Sequence, residues 1–270
     1  MKIACIQPKI LENRNKCYEH IESLIKLLLN EYKESDIICL PERWVPFYNK
    51  IEENIQRERG DDYFFIKNIA KEYSINLISG AIWEKRIFLK KPSITCYFIN
   101  HEGEEIGRQD KIHLYTLESK YFQRGSKLNL FKIGNYYFAI LICFDMAFYE
   151  TPRLATENGA DLLLSPAQIS VDGLYNWNIY LQARVLENRI PVVGCNSLGN
   201  IGDKLFPGNS KIISFIKGSM TPSKLQIIEA PMNKSCFIFD DLDLDYPKKL
   251  REIRLNEKIN KDSIKIEKIS

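Results

Sequence analysis

Short apolar runs rich in β-branched residues recur from one end of this chain to the other, and many of the segments between them repeat apolar residues every three to four positions. That alternation of strand and helix periods constrains the chain to an α/β fold built on a mixed sheet or two sheets. Residues 3–6 read as a first strand. Tyr18, Ile21, Ile25 and Leu28 then share one face of a helix that starts near Asn13 or Asn15. A second buried strand over 36–41 is stopped by Pro41. Phe65, Ile66, Ile69, Ala70 and Tyr73 mark a second helix, and a third strand follows over 75–83.

The middle of the chain changes character. Residues 94–100 and 105–109 flank the polar turn His101-Glu102-Gly103-Glu104, the pattern of an antiparallel hairpin. A strand near 128–133, a turn at Gly134-Asn135 and an apolar run ending at Cys143 come next. A helix over 150–158 is closed by Gly159, and a strand follows over 161–165. Trp177, Tyr180, Leu181 and Val185 lie on one helix face, and residues 191–195 repeat the strand signal. Strands over 211–216, 225–229 and 236–239 precede a charged helix after Pro247. No linker or composition break interrupts the chain, so residues 1–256 are expected to form one domain, followed by a charged tail over 257–270. Ile264, Ile266 and Ile269 stand among charges there, the pattern of a solvated or loosely docked tail. An edge strand pairing with a partner subunit is the alternative.

Composition excludes several function classes. With 38 basic and 35 acidic residues the net charge is +3, too balanced for a nucleic-acid or membrane-surface protein. Seven cysteines are an odd number with no C-x-x-C, which argues against a disulfide framework and a thiolate zinc site. Cys17-x-x-His20 has helical spacing for two metal ligands but no second pair nearby, so neither metal nor cofactor is expected. The longest apolar run spans 136–144, far short of the roughly 20 residues of a membrane helix. Gln7 and Pro8 interrupt the N-terminus before a signal-peptide core can form. These features predict a cytoplasmic protein with reduced thiols, whose partners are small molecules or other proteins.

In open α/β sheets ligands bind beyond the carboxyl ends of strands. Three such ends carry reactive groups. Ile37-Ile38-Cys39-Leu40-Pro41 delivers Glu42, Arg108-Gln109-Asp110 delivers Lys111, and Phe138-Ala139-Ile140-Leu141-Ile142 delivers Cys143. A carboxylate, an ammonium and a thiol can serve as base, oxyanion stabiliser and nucleophile. Each also has an ordinary reading. A cysteine at the end of an apolar run is commonly a small buried hydrophobe, and glutamate or lysine alone is commonly a surface charge. His113 fits either a Cys-His pair or a hydrogen-bonded structural role. Trp44, Trp83 and Trp177 read as core or pocket wall. No G-x-S-x-G, phosphate loop, dinucleotide fingerprint or H-E-x-x-H is present.

Taken together, these segments resemble the nitrilase superfamily of carbon-nitrogen hydrolases. The resemblance runs through Ile3-Ala4-Cys5-Ile6-Gln7, the strand ending in Glu42, Gly107-Arg108-Gln109-Asp110-Lys111-Ile112-His113-Leu114 and Leu141-Ile142-Cys143-Phe144-Asp145. It continues in Gln182-Ala183-Arg184-Val185-Leu186-Glu187-Asn188, Pro191-Val192-Val193-Gly194-Cys195-Asn196 and Phe206-Pro207-Gly208-Asn209-Ser210. It implies a four-layer α-β-β-α sandwich and a Glu-Lys-Cys triad of Glu42, Lys111 and Cys143, with Glu118 as an assisting second glutamate. By that resemblance Cys143 attacks an amide carbon, Glu42 moves the protons, and Lys111 with the backbone N–H of Phe144 holds the oxyanion. The lysine should then draw the thiol pKa below its free value.

Two departures from the family pattern bear on substrate. Ala147 stands where many members carry an arginine, and Tyr149 where they carry a proline. An arginine there can pair with a substrate carboxylate, so Ala147 with Met146 suggests a less charged pocket. Trp44 and Tyr48, and Gln168 of Pro166-Ala167-Gln168, are expected to supply other walls. The resulting expectation is a hydrolase of a small non-peptide amide, assembled as a homodimer or larger through the helices after Cys143 and around 177–188. Nitrile or carbamoyl hydrolysis, acyl transfer, and a catalytically silent binding member are the alternatives.

Overall fold

In the computed structural model the first half of the chain builds most of one sheet and its helices, and β15 near the C-terminus completes that sheet. Residues 1–220 and 223–269 are described; of the expected tail, Ser270 lies outside the described residues. In chain order this half contains β1 (Lys2–Gln7), α1 (Arg14–Tyr32), β2 (Ile37–Cys39), β3 (Gln56–Arg57), α2 (Asp61–Glu72), β4 (Leu77–Lys85), β5 (Ser93–Ile99) and β6 (Glu105–Asp110). A short helix α3 (Glu118–Tyr121) leads to β7 (Leu130–Ile133), β8 (Tyr136–Ile140), α4 (Glu150–Glu157), β9 (Leu162–Ala167), α5 (Leu174–Asn188) and β10 (Val192–Asn196). A small hairpin of β11 (Leu198–Ile201) and β12 (Lys204–Pro207) follows, then β13 (Lys211–Met220), β14 (Ser223–Glu229), β15 (Cys236–Asp241) and α6 (Asp245–Asn256).

Two mixed sheets result, ordered β15-β1-β2-β4-β5-β6 and β14-β13-β10-β9-β8-β7. Strand β1 shows why they stack. Ile3 and Cys5 face one apolar cluster, and Ala4 and Ile6 face another. A strand apolar on both faces needs a layer on each side. On the outer side, Ile21, Ile25 and Leu28 of α1 and Ile66 and Ile69 of α2 cover the first sheet. On the inner side, Ile3, Cys5, Ile37 and Cys39 meet Ile140, Leu164 and Cys195 of the second sheet. Trp177, Leu181 and Val185 of α5 close the fourth layer, giving the α-β-β-α sandwich. Tyr180, expected on that buried face, is 37% exposed.

Local chemistry explains most boundaries. Asn13 caps α1, its side chain accepting from the Lys16 N–H at 3.0 Å. The hairpin of β5 and β6 pairs antiparallel, Thr95 opposite Asp110. The last helix differs from expectation: α6 starts at Asp245, so Pro247 lies inside its first turn. No intrahelical partner awaits an N–H there, so proline is tolerated. At the tail, Ile266 and Ile269 are almost fully exposed. No helix among the described residues is long and apolar enough to cross a membrane.

One glycine fixes the geometry that matters below. Gly80 has φ +68°, and a Cβ there would lie 2.1 Å from the Pro41 carbonyl oxygen. The register of β4 against β5 shifts between Ile78 and Ala81, and the Ala81 N–H donates to the Glu42 carbonyl at 3.1 Å. Only a residue without a side chain lets β4 approach the Pro41-Glu42 turn this closely.

Candidate active site

Glu42 follows the end of β2 and is fastened to both sheets. Its N–H donates to the Ala167 carbonyl of β9 at 3.2 Å, and its own carbonyl accepts from Ala81 of β4. Lys111 follows β6, its N–H bonded to Ile94 and its carbonyl to the Gly125 N–H. These backbone bonds bring two side chains that are 69 residues apart into contact: the Lys111 ammonium donates to Glu42 Oε1 at 2.8 Å. It also donates to Glu118 Oε1 at 2.9 Å, while Glu118 Oε2 accepts from the Tyr115 N–H at 2.7 Å. Lys111 and Glu42 are 1% and 3% exposed.

Cys143 does not end a strand, as the apolar run suggests. Strand β8 stops at Ile140, and Cys143 opens a 3₁₀ turn over Cys143–Ala147 with φ +50°. A non-glycine residue at positive φ is uncommon and persists only where its surroundings hold it. Asp145, fully buried, does much of the holding. Its carboxylate accepts from the N–H groups of Ile142 at 3.0 Å and His113 at 2.7 Å, and Ile112 N approaches at 3.4 Å. His113 Nδ1 lies 3.0 Å from the same carboxylate, and the ring stacks on Phe148. His113 is therefore part of the support that ties the cysteine turn to the lysine segment. From α5, Arg184 closes the far side, Nε on the Met146 carbonyl and Nη2 on that of Ala147, both at 3.0 Å.

The electrostatics follow from burial. Burial opposes the charge on Lys111, yet Glu42, Cys143 and Glu118 together hold its pKa above the ordinary lysine value. Glu118 is pushed up, first by burial and then by the charge of Glu42, with Lys111 pulling against both. The cysteine departs from expectation. Burial drives the Cys143 thiol well above its usual value, Glu42 adds to the shift, and Lys111 with the Gln168 backbone N–H only partly opposes it. The lysine cannot win because its charge is already spent on two carboxylates. At rest the site holds a neutral thiol rather than a preformed thiolate.

The expected wall residues divide. Gln168 reaches the thiol through its backbone N–H. The Phe144 ring packs against Tyr115 and Phe148, and Ala147 is anchored by its carbonyl. Trp44 lies elsewhere, in the core under α1 and α2, with its indole N–H on the Ser79 carbonyl at 2.7 Å and its ring against Tyr18 and Phe65. Tyr48 sits in a loop clasped by Asn54, under the Arg14 guanidinium. Among the described residues no group of three His, Cys, Asp or Glu side chains is placed to hold a metal ion.

The carbon-nitrogen hydrolase family matches residues 2–222. The chain belongs to that family. The carbon-nitrogen hydrolase is similar to a Bacillus subtilis 2-oxoglutaramate amidase, 30% identical over 217 residues that cover 78% of this chain and 82% of the relative. A probable nitrilase of Schizosaccharomyces pombe is 28% identical over 93% of this chain and 91% of its own. In fold it is similar to a Saccharomyces cerevisiae member of branch 10 of the nitrilase superfamily, with a TM-score of 0.80 at 22% identity over 94% and 93% of the two chains. The hydrolase thus carries the sandwich of its relatives. Sequence reading passed over Asp145 and Arg184 as supports of the cysteine turn. The signal for both was their place in segments that carry the family resemblance; that Arg184 acts on the cysteine turn, across 38 residues, was marked by nothing local.

Proposed function

We propose that this carbon-nitrogen hydrolase is an amidase that cleaves a small-molecule amide through a thioester on Cys143. The observation that carries this reading is one buried ammonium shared by two carboxylates beside a buried thiol. The similarity to an amidase at 30% identity supports it. Because the thiol is neutral at rest, its proton passes to Glu42 as sulfur attacks the amide carbon. Lys111 and the Phe144 N–H stabilise the oxyanion. Glu42 then protonates the departing amine, and later takes a proton from the water that hydrolyses the thioester. Glu118 keeps Lys111 aimed and shares its charge. Exposed apolar side chains on and around α4 and α5, including Leu154, Tyr175 and Ile179, support assembly of a homodimer or larger oligomer through that face.

The test uses intact-protein mass spectrometry and a panel of small amides with hydroxylamine as acyl acceptor. A Cys143-linked acyl adduct and hydroxamate product are expected, and both should vanish in Cys143→Ala. Hydroxamate formation that survives the substitution would refute the thioester route.

The raised Glu118 makes a pH prediction. On acidification Glu118 takes its proton above the ordinary carboxylate range, since burial and the charge of Glu42 favour its neutral form. A neutral Glu118 no longer holds Lys111 as a carboxylate does, so the acid limb of kcat/KM is set by Glu118. In Glu118→Gln that titrating group is absent. The acid limb should move down in pH while kcat falls by about 100-fold. An unmoved limb would show that Glu118 does not set it.

A further inference from the structure

The turn between β4 and β5 holds two apolar side chains out into solvent. Ile87 is 90% exposed and Phe88 96%, and no other large apolar side chain among the described residues is as exposed as Phe88. The backbone keeps them there. The Leu89 N–H closes the turn on the Arg86 carbonyl at 3.2 Å, and the Arg86 guanidinium grips the Asp110 carboxylate with both Nη atoms. At the other end the Pro92 carbonyl accepts from the Gln123 N–H at 2.8 Å, and the Lys91 ammonium donates to the Ser119 carbonyl at 2.9 Å. A tip anchored on both sides stays out of the core, and adjoining apolar side chains so displayed mark a surface for a partner.

The collar of that tip is basic. Lys85, Arg86, Lys90 and Lys91 make up four of the seven residues over 85–91, and the other three are apolar. Beside the turn lies a cavity of about 290 Å³ whose lining includes Leu89, Arg108, Arg124 and Lys127. Asp110 is the one acid in that lining, and Arg86 already neutralises it. Arg108 is paired with Glu58, but among the described residues neither Arg124 nor Lys127 has an ion pair. On β3, Arg57 stands opposite Lys85 and adds to the same edge. The balanced charge of the whole chain, which in the sequence argues against a membrane surface, averages this patch away. Charges act over about 10 Å in salt solution, so the local concentration is what a partner meets.

We propose that this turn docks the protein on an anionic lipid bilayer, Ile87 and Phe88 entering the headgroup layer while Lys85, Lys90, Arg124 and Lys127 meet lipid phosphates. The basic cavity then takes one phosphodiester headgroup. Apolar insertion and headgroup attraction are each weak alone, and the two together hold a protein at a surface. A soluble anion would account for the cavity and leave Phe88 in water. An apolar protein groove would cover Phe88 and leave the unpaired cations facing no anion. A bilayer rich in anionic lipid satisfies both. The docking segment is also joined to the site, since the Gly125 N–H of the cavity wall donates to the Lys111 carbonyl at 2.8 Å. The bilayer would therefore lie beside the strand end that carries Lys111. The inference is independent of the amidase reading.

The experiment floats the full chain with vesicles of phosphatidylcholine alone or mixed with phosphatidylglycerol, at low and at raised salt. Binding is expected to the mixed vesicles only, and salt should weaken it. Phe88→Ser should lower the partition coefficient at least about tenfold, and Lys127→Gln about fivefold. Both side chains are exposed, so thermal unfolding of the variants should match the wild type. In Phe88→Trp, the emission in excess of the wild type should shift to the blue on mixed vesicles, a signature of apolar insertion that adhesion by charge alone does not produce. Failure to float with mixed vesicles at low salt would overturn the proposal, as would flotation that Phe88→Ser leaves unchanged. Self-association that Phe88→Ser abolishes, with no vesicle binding, would overturn it too and assign the tip to a second copy of the chain. Calorimetric binding of inorganic phosphate that Lys127→Gln weakens, again with no vesicle binding, would overturn it in favour of a soluble anion.

Discussion

Lys111→Met is expected to reduce kcat/KM by at least about a thousandfold and to destabilise the fold by about 3–5 kcal/mol near neutral pH. The two effects share one origin. Lys111 Nζ is the shared hydrogen-bond partner of Glu42 and Glu118, and methionine fills a similar volume without charge. Removing the ammonium leaves two carboxylates facing each other in a buried site, and like charges so placed cannot both stay ionised. One of them retains a proton, so the base is lost together with the oxyanion stabiliser. The stability deficit should depend on pH in a definite direction. In the variant the folded-state carboxylate pKa values rise above their unfolded values, so the folded state binds more protons and stability falls as pH rises through that range. Urea denaturation near pH 5 and near pH 8 should therefore show a larger gap from wild type at the higher pH. A pH-independent gap would mean that lost packing, rather than the stranded carboxylates, dominates.

The parts of the molecule that were legible in the sequence are those set by local rules. The α1 cap at Asn13 and the apolar face of Ile21, Ile25 and Leu28 follow from side-chain chemistry within a few positions, as does the turn between β5 and β6. The convergence of Glu42, Lys111 and Cys143 was legible only through the family resemblance, since β2 and β6 lie in one sheet and β8 in the other, and no local rule says which strand ends of two sheets meet. What escaped depends on long-range burial. Trp44 adjoins Glu42 by only two positions, yet it turns into the helix-sheet core, where its indole N–H finds the Ser79 carbonyl. The acidity of Cys143 was read from one neighbour, the lysine. Its direction is decided instead by how much water the sandwich excludes and by the charge of Glu42. Pro247 marked a helix start only to within a turn, because the first turn accepts proline at more than one position.

Glu42→Gln should separate two properties that Glu42 controls in opposite directions. Turnover is expected to fall by about ten-thousandfold, because Glu42 is asked to accept the thiol proton, protonate the leaving amine and activate water. Glutamine is nearly isosteric and can still accept from Lys111, so the fold should be retained. The thiol, however, should become more acidic. In the wild type the negative charge of Glu42 reinforces burial in disfavouring the thiolate, while Lys111 opposes it. Neutralising Glu42 removes one disfavouring charge and leaves the lysine less compensated, so the thiol pKa drops toward its ordinary value. Thiolate absorbance, taken as the difference between each protein and its Cys143→Ala counterpart, should therefore titrate at lower pH in Glu42→Gln than in wild type. A nucleophile that ionises more readily in an enzyme that works far less well would show that proton transfer, not thiolate population, limits the reaction. A thiol titration that stays put or moves up, with turnover largely retained, would place Glu42 outside the proton path and assign its charge to positioning Lys111 alone.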